Sequence, residues 1–293
     1  MSNASVLTDP NSSYKLVRLA SGIWSVHSTA ESETFHPVIG PVAEAEALYV
    51  RQLGIRERIS THRGEFVIWD VGLGAAANVL TILKAVSDIN VSLRLVSFDR
   101  TIEPLEFALQ HAEELGYFGG AESLVCEFLK HGVTHAQIGK CVVKWSLCLG
   151  DFPTTINAHE TEDLPKPGAI LFDAYSPAKN PAMWTQPLFA RLFSLLNPEI
   201  PCAMPTYSRS TMLRVSLLLA GFFVGVGHAT GEKEETTIAA NSLSLIDEPL
   251  DKTWLLRARK STSAEPLWEP IYRQAPLQLE TWERLQAHPQ FNP

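Results

Sequence analysis

The 293-residue chain is 45% hydrophobic and 19% charged, with a formal charge of −8 at neutral pH. That composition suits a globular chain with a sizeable core and excludes a mainly disordered one. The acidic balance argues against a surface coated with phosphate-binding residues, and no apolar run approaches the ~20 residues of a membrane span.

The first fifteen residues lack a basic segment followed by an apolar one, so no signal peptide is expected and the protein reads as cytoplasmic. "YKLVRLASGIWSVHS" then reads as a small hairpin turning at Ser21-Gly22. Arg51, Arg56, Arg58 and Arg63 cluster before the core and read either as a solvated helix face or as a local basic patch. From about residue 66 strands alternate with helices. "EFVIWDVG" is a buried strand and "AAANVLTILKAVSD" a helix; "SLRLVSFDR" is the next strand. "TIEPLEFALQHAEELG" follows as a helix with Thr101 as N-cap, Pro104 in its first turn and Gly116 at its stop. "CVVKWSLCLGD", "AILFDAY" and "CAMPTYS" are three further strands, with "MWTQPLFARLFSLL" a helix between the last two. The helix "RSTMLRVSLLLAG" leads into "FFVGVGHAT" and "ETTIAANSL", spaced as a closing hairpin. The tail beyond Asp251, with Trp254, Trp268 and Trp282, reads as an irregular strap with one short helix near "LQLETWERLQ".

Strands alternating with crossover helices predict a mostly parallel sheet covered on both faces, closed by an antiparallel edge. The expected division is an N-terminal hairpin and lead-in over 1–60, a core over 61–250 and a C-terminal strap over 251–293. Cys126, Cys141, Cys148 and Cys202 form no C-x-x-C pair, so buried free thiols are expected and no metal site.

Four strands deliver an acid to their carboxyl ends: Asp70, Asp99, Asp151 and Asp173. In a doubly wound sheet such positions line one crevice. Gly72 and Gly74 let the backbone approach a ligand, and the helix that follows, with Asn78 in its first turn, presents free N–H groups. Asp99 suits two ribose hydroxyls, while Asp151, after Gly150, suits an adenine amino group. Gly72-x-Gly74-x-x-Ala77 is only a partial dinucleotide fingerprint, and no G-x-x-x-x-G-K-[ST] occurs. Acids at successive strand ends and a closing strand pair fit S-adenosylmethionine better than NAD.

In "ILFDAYSPAKNPAMW" a buried strand hands Asp173 to a loop stiffened by Pro177 and Pro181. The run "FDAYSPAKNPAMWTQPLF" resembles the D-[GA]-F-[AS]-P-x-K-N-P-x-M-W motif of the MnmC-type tRNA wobble-uridine methyltransferases. "ETFHPVIGPVAEAEALYV", "DVGLGAAANVLTIL" and "TYSRSTMLRVSLLLAGF" resemble further segments of that family in its order, with Asp70 for the usual glutamate and Ala76 where glycine is common. "GEKEETTIA" keeps Lys233 and Glu235 of another family segment but carries Glu234 in place of its arginine. The likeness runs from about Glu33 to Ala240.

The resemblance implies a Rossmann-like methyltransferase fold: an α/β domain with a mostly parallel seven-stranded sheet, an antiparallel edge strand and a small N-terminal β-hairpin. It implies S-adenosyl-L-methionine as cofactor and tRNA as substrate, methylated at the exocyclic amine of 5-aminomethyl-(2-thio)uridine. A small-molecule amine, another nucleoside, or a non-catalytic binding scaffold are the competing readings. A stand-alone form is expected, cooperating with a separate oxidoreductase on the same nucleoside. Cofactor contacts fall to Asp70, Gly72, Gly74, Asn78, Asp99, Gly150 and Asp151. Asp173 is the catalytic residue, as positioner or base, and Tyr175, Pro177, Lys179 and Lys233 face the substrate. His36 and Glu44 are read either as contacts to the ligands or as structural residues. Arg51, Arg56, Arg209, Arg214 and Lys233 are expected to form a basic rim for tRNA.

Overall fold

The computed structural model describes residues 6–8, 12–231 and 234–292. The chain forms two compact units, Met1–Gly150 with Ala229–Glu234, and Asp151–His228 with Glu235–Pro293. No helix among the described residues is long and apolar enough to cross a membrane.

The first unit opens with an antiparallel sheet of four short strands, β1 (Val6–Thr8), β2 (Tyr14–Arg18), β3 (Trp24–Ser28) and β4 (Glu33–Thr34). The expected hairpin is its centre, with Tyr14 opposite Ser28 and Arg18 opposite Trp24. Helix α1 (Pro41–Ala45) runs on as a π-turn over Glu46–Arg51, and α2 (Ile55–Thr61) follows. The core elements are β5 (Glu65–Val71), α3 (Ala77–Val86), β6 (Ser92–Asp99), α4 (Glu103–Gln110), α5 (Ala112–Leu115), α6 (Glu122–His131), β7 (Val133–Ile138) and β8 (Cys141–Leu149). Strands β5, β6 and β8 are parallel, and β7 lies antiparallel on β8. Continuous apolar runs in β5 and β6 bury Ile68, Trp69, Leu95 and Phe98, and Phe128 of α6 stacks on Trp145 of β8 at 3.9 Å.

Strand β7 is absent from the sequence expectation. "VTHAQI" alternates exposed and covered residues, the pattern of an edge strand. Its hairpin to β8 turns at Gly139, whose φ is +59° and where a Cβ would sit 2.2 Å from the Ser87 carbonyl oxygen. Only glycine fits there.

The second unit holds α7 (Phe152–Thr155), β9 (Ala169–Phe172), α8 (Gln186–Ser194), β10 (Ala203–Thr206), α9 (Thr211–Ala220), β11 (Phe223–Gly227), β12 (Thr236–Ala240), α10 (Lys252–Lys260) and α11 (Leu279–Gln286). Its strands run in the order β9-β10-β12-β11, with β9 and β10 parallel and β12 antiparallel to both its neighbours. The expected closing hairpin is thus present, and its second strand lies inside the order rather than at the edge. Among the described residues the first unit has four core strands and the second has four, against seven expected in all. Phe172, Trp184, Phe189 and Phe222 are fully buried here.

The tail is more ordered than an irregular strap. Residues 248–250 line β11 through Val226 N–H to Glu248 O (2.9 Å) and Leu250 N–H to Val224 O (3.0 Å). The Gln290 side chain bonds both backbone groups of Val224 and the Leu250 carbonyl, each at 2.8 Å. The edge strand is thereby covered.

Candidate active site

In the first unit, register brings the carboxyl ends of β5, β6 and β8 together, with Asp70 opposite Ser97 and Asp99 opposite Leu149. The turn after β5 folds back on β6, because Gly72 N–H and Leu73 N–H both donate to Phe98 O, at 3.0 and 3.3 Å. Gly72, Gly74 and Ala76 all take positive φ, at 94°, 50° and 58°. This left-handed succession turns the chain into α3, whose first turn buries Asn78. A Cβ on Gly74 would lie 3.2 Å from Cε2 of Phe35, so the N-terminal segment closes over the turn.

Asp99 fixes the turn. Its Oδ2 accepts from Gly74 N–H at 2.9 Å, and its Oδ1 from the N–H groups of Arg100 and Thr101 at 2.7 and 3.3 Å. Burial raises its pKa above the ordinary 3.8, and these three amides pull the other way. Gly150 N–H donates to Asp99 O at 2.8 Å, which ties the β8 end to the same point. Asp70 lies beneath this edge, 1% exposed. Its Oδ2 accepts from Ser97 Oγ at 2.7 Å, and Ser97 Oγ accepts from Trp145 Nε1 at 2.9 Å.

Several bordering residues escape the sequence reading. Tyr14 of β2 is held at a pKa of about 12, first by burial and then by the charges of Glu103 and Asp99. Arg100 pairs with Glu31 at 3.0 Å, and buried Tyr117 donates to Ala75 O at 2.9 Å, bracing the turn. No local motif marks these contacts, which arise from the N-terminal sheet, from the turn between β6 and α4 and from the connection between α5 and α6. His36, with φ of 48°, faces Glu44 at 3.6 Å with both side chains nearly covered.

In the second unit Asp151 is exposed and caps α7, its Oδ2 accepting from Thr154 Oγ1 at 2.8 Å and Thr154 N–H at 3.3 Å. Strand β9 ends at Phe172, and half-buried Asp173 begins the loop. Aromatic side chains hold that loop by its backbone. Tyr207 Oη donates to Ala174 O at 3.1 Å, and Trp184 Nε1 to Tyr175 O at 2.7 Å. Trp184 itself packs edge-on against Phe172 and Tyr207, at 5.4 and 6.0 Å between ring centres. Pro177 sits in the turn that Lys179 and Asn180 close by donating their N–H groups to Ser176 O, at 2.9 and 2.8 Å. Tyr175 is half-buried and Lys179 exposed.

The expected basic rim needs correction. Arg214 is 3% exposed and spends its guanidinium internally: Nε donates to Thr237 Oγ1 (3.0 Å), Nη2 to Thr236 O (2.8 Å), and Nη1 faces Glu235 (3.3 Å). Its position on the buried face of α9 leaves it no surface for phosphate, and desolvation lowers its pKa. Arg56 is exposed but committed to both oxygens of Asp88, at 2.8 and 2.9 Å. Arg51 and Arg209 are exposed, and Lys233 lies outside the described residues.

A glycine turn against a half-covered carboxylate, with a helix N-terminus beyond it, fits a ribose-bearing ligand: Asp99 keeps lone-pair capacity beyond its three amide bonds. Residues 120–242 match a family described as S-adenosyl-L-methionine-dependent methyltransferase. The chain is similar to the tRNA 5-methylaminomethyl-2-thiouridine biosynthesis bifunctional protein MnmC of Aeromonas salmonicida (strain A449), 27% identical over 213 residues, 68% of this chain and 32% of that protein. The protein of the same name from Leptospira interrogans (strain Fiocruz L1-130) is 26% identical over 251 residues, 80% of this chain and 37% of its own length. The chain spans about a third of the length of these curated relatives. The crystal structure of MNMC2 from Aquifex aeolicus superposes with a TM-score of 0.69 at 22% identity, covering 94% of this chain and 85% of that one. The shared fold is the Rossmann-like methyltransferase fold expected from the sequence.

Proposed function

From a chain that is an S-adenosylmethionine-dependent methyltransferase with a domain of the MnmC type, we propose a specific acceptor: the exocyclic amine of 5-aminomethyl-(2-thio)uridine at the tRNA wobble position. The observation that carries this reading is the stiff loop after β9, where the motif shared with that family supplies Asp173 and aromatic side chains clamp the backbone beside it.

When bound, S-adenosylmethionine supplies an electrophilic methyl group on a sulfonium. Gly72, Gly74, Asn78, Asp99, Gly150 and Asp151 would hold it, with buried Asp70 bracing the turn through Ser97. Methyl transfer then asks for orientation more than covalent help. Asp173 accepts hydrogen bonds from the amine and fixes the direction of its lone pair. A carboxylate favours the ammonium form, so the proton leaves to water rather than being held at Asp173. Tyr175 offers a face for the base, Pro177 keeps the loop shape, and Lys179 and Lys233 meet the nucleotide's phosphates. A separate oxidoreductase acting on the same nucleoside would supply the free amine.

A small-molecule amine is the second reading, favoured by the net charge of −8, by Glu234 and by the internal use of Arg214. Labelled S-adenosylmethionine offered with tRNA from cells lacking the wobble methylation, beside a pool of small amines, separates the two. Label in tRNA that falls steeply with added salt supports the first reading. Label confined to the small-amine pool overturns it.

A further inference from the structure

Helix α10 places four cations in nine residues, Lys252, Arg257, Arg259 and Lys260, and no acid, within a chain of net charge −8. Its apolar side is spent inward on Trp254, Leu255 and Ala258. Arg259 is also used locally, donating to Leu277 O at 3.0 Å and lying over Trp282 at 5.4 Å. Lys252, Arg257 and Lys260 are exposed and form no ion pair among the described residues. At helical spacing Lys252 and Lys260 share one stripe and Arg257 flanks it. Helix polarity accounts for cations in the last turn, but Lys252 occupies the first turn, where a cation is disfavoured.

Arg209 is tied to the acceptor loop through Tyr207. Tyr207, whose hydroxyl holds Ala174 O, lies two residues before exposed Arg209. The segment between is fixed by Thr237 Oγ1, which donates to Ser208 O at 2.6 Å while accepting from Arg214 Nε. Arg209, on the loop after β10, and Arg257, on α10, both add positive charge that disfavours the charged form of Arg214. Glu235 pairs with the buried member of this cluster, and Asp251 at the start of α10 is the acid whose charge Arg257 favours, while neither Arg209 nor Arg257 closes an ion pair among the described residues.

We propose that the cationic face of α10 (Lys252, Arg257 and Lys260), continued by Arg209, binds the phosphate backbone of the RNA carrying the acceptor nucleoside. The inference rests on the tRNA reading above and adds the surface that holds the tRNA. Cations on an exposed helix, with their stems free, suit a sequence-independent contact to phosphate.

The test is equilibrium binding of unmethylated tRNA to the full chain between about 50 and 200 mM salt. It compares wild type, the triple variant Lys252→Ala/Arg257→Ala/Lys260→Ala, and the charge-matched variant Arg63→Ala/Lys130→Ala/Lys140→Ala, which changes exposed cations of the first unit. Each lost phosphate contact flattens the slope of log K against log salt by about 0.7–0.9, so the α10 triple should lose about 2–3 in slope. The charge-matched variant should track wild type, and an S-adenosylmethionine titration checks that all three proteins are folded. Arg209→Glu alone should raise the KM for tRNA. Wild type that binds and methylates tRNA while the α10 triple keeps its slope overturns the surface and leaves the function standing. Equal losses in both triples reduce the effect to net charge and overturn it too. A wild type that binds no tRNA overturns both.

Discussion

Replacing Asp99 by Asn probes the account where its geometry is densest. The carboxylate accepts three amides, from Gly74, Arg100 and Thr101, at 2.9, 2.7 and 3.3 Å. An amide side chain offers one oxygen. If that oxygen keeps Arg100 and Thr101, the new NH2 group confronts Gly74 N–H and the tie to the turn is lost. A hydrogen bond to a charged group is worth roughly 1.5–3 kcal/mol, and the variant is relieved of burying a charge, so the net loss of stability should be about 1–2 kcal/mol. Loss of one such bond to the ribose should weaken S-adenosylmethionine by about ten- to a hundredfold in a calorimetric titration. The pH profile gives an independent check. Folding raises the Asp99 pKa above 3.8, so the native state binds this proton more tightly than the unfolded chain. Wild-type stability should therefore fall as pH rises from 3.8 through the raised value and level off above it, and Asp99→Asn should lack that component. A wild-type-minus-variant stability difference that is flat over this range, with unchanged cofactor affinity, would remove Asp99 from the role given to it.

Asp173→Asn should keep cofactor affinity while turnover drops ~10²–10⁴-fold; full turnover on the true acceptor makes the acid structural. Tyr207→Phe deletes the bond to Ala174 O and should cost about 1 kcal/mol of stability, yet lower kcat by up to ~10²-fold because the acceptor loop shifts. An unchanged kcat would show that the clamp does not position the acceptor. Arg214→Leu removes the donors to Thr236 O and Thr237 Oγ1 in the interior and should destabilise by about 1–3 kcal/mol in a denaturant titration, whereas a loss under about 0.5 kcal/mol contradicts the internal role.

The alternation of apolar strands and amphipathic helices is a local signal, which is why β5, β6, β8, β9 and β10 are legible in the sequence. So is the Asp173 loop, because prolines and a strand-end acid mark it directly. Elements whose signal is mixed are not. Strand β7 carries His135 and Gln137 outward and too few apolar residues to stand out. In α10 the stripe of Trp254, Leu255 and Ala258 is masked by four cations, although Asp251 caps it plainly through Trp254 N–H at 2.7 Å. Charge alone does not tell burial, so Arg214, in "TMLRVSLLLA", reads as surface until Thr236, Thr237 and Glu235 are seen around it. Tyr14 and Phe35 reach the edge around Asp99 and Gly74 only through the N-terminal sheet, a non-local arrangement that no spacing encodes.

The central claim is methyl transfer to a primary amine on the wobble uridine, and chemical protection of that amine tests it most directly. The protein would be given labelled S-adenosylmethionine with tRNA bearing 5-aminomethyl-(2-thio)uridine, in parallel with the same tRNA after acetylation of the amine. Acetylation withdraws the nitrogen lone pair that must align with the sulfur–methyl bond. The account predicts label in the free-amine tRNA, recovered on that nucleoside after digestion, and none in the acetylated tRNA. Equal labelling of both would place the methyl group on another atom and contradict the account.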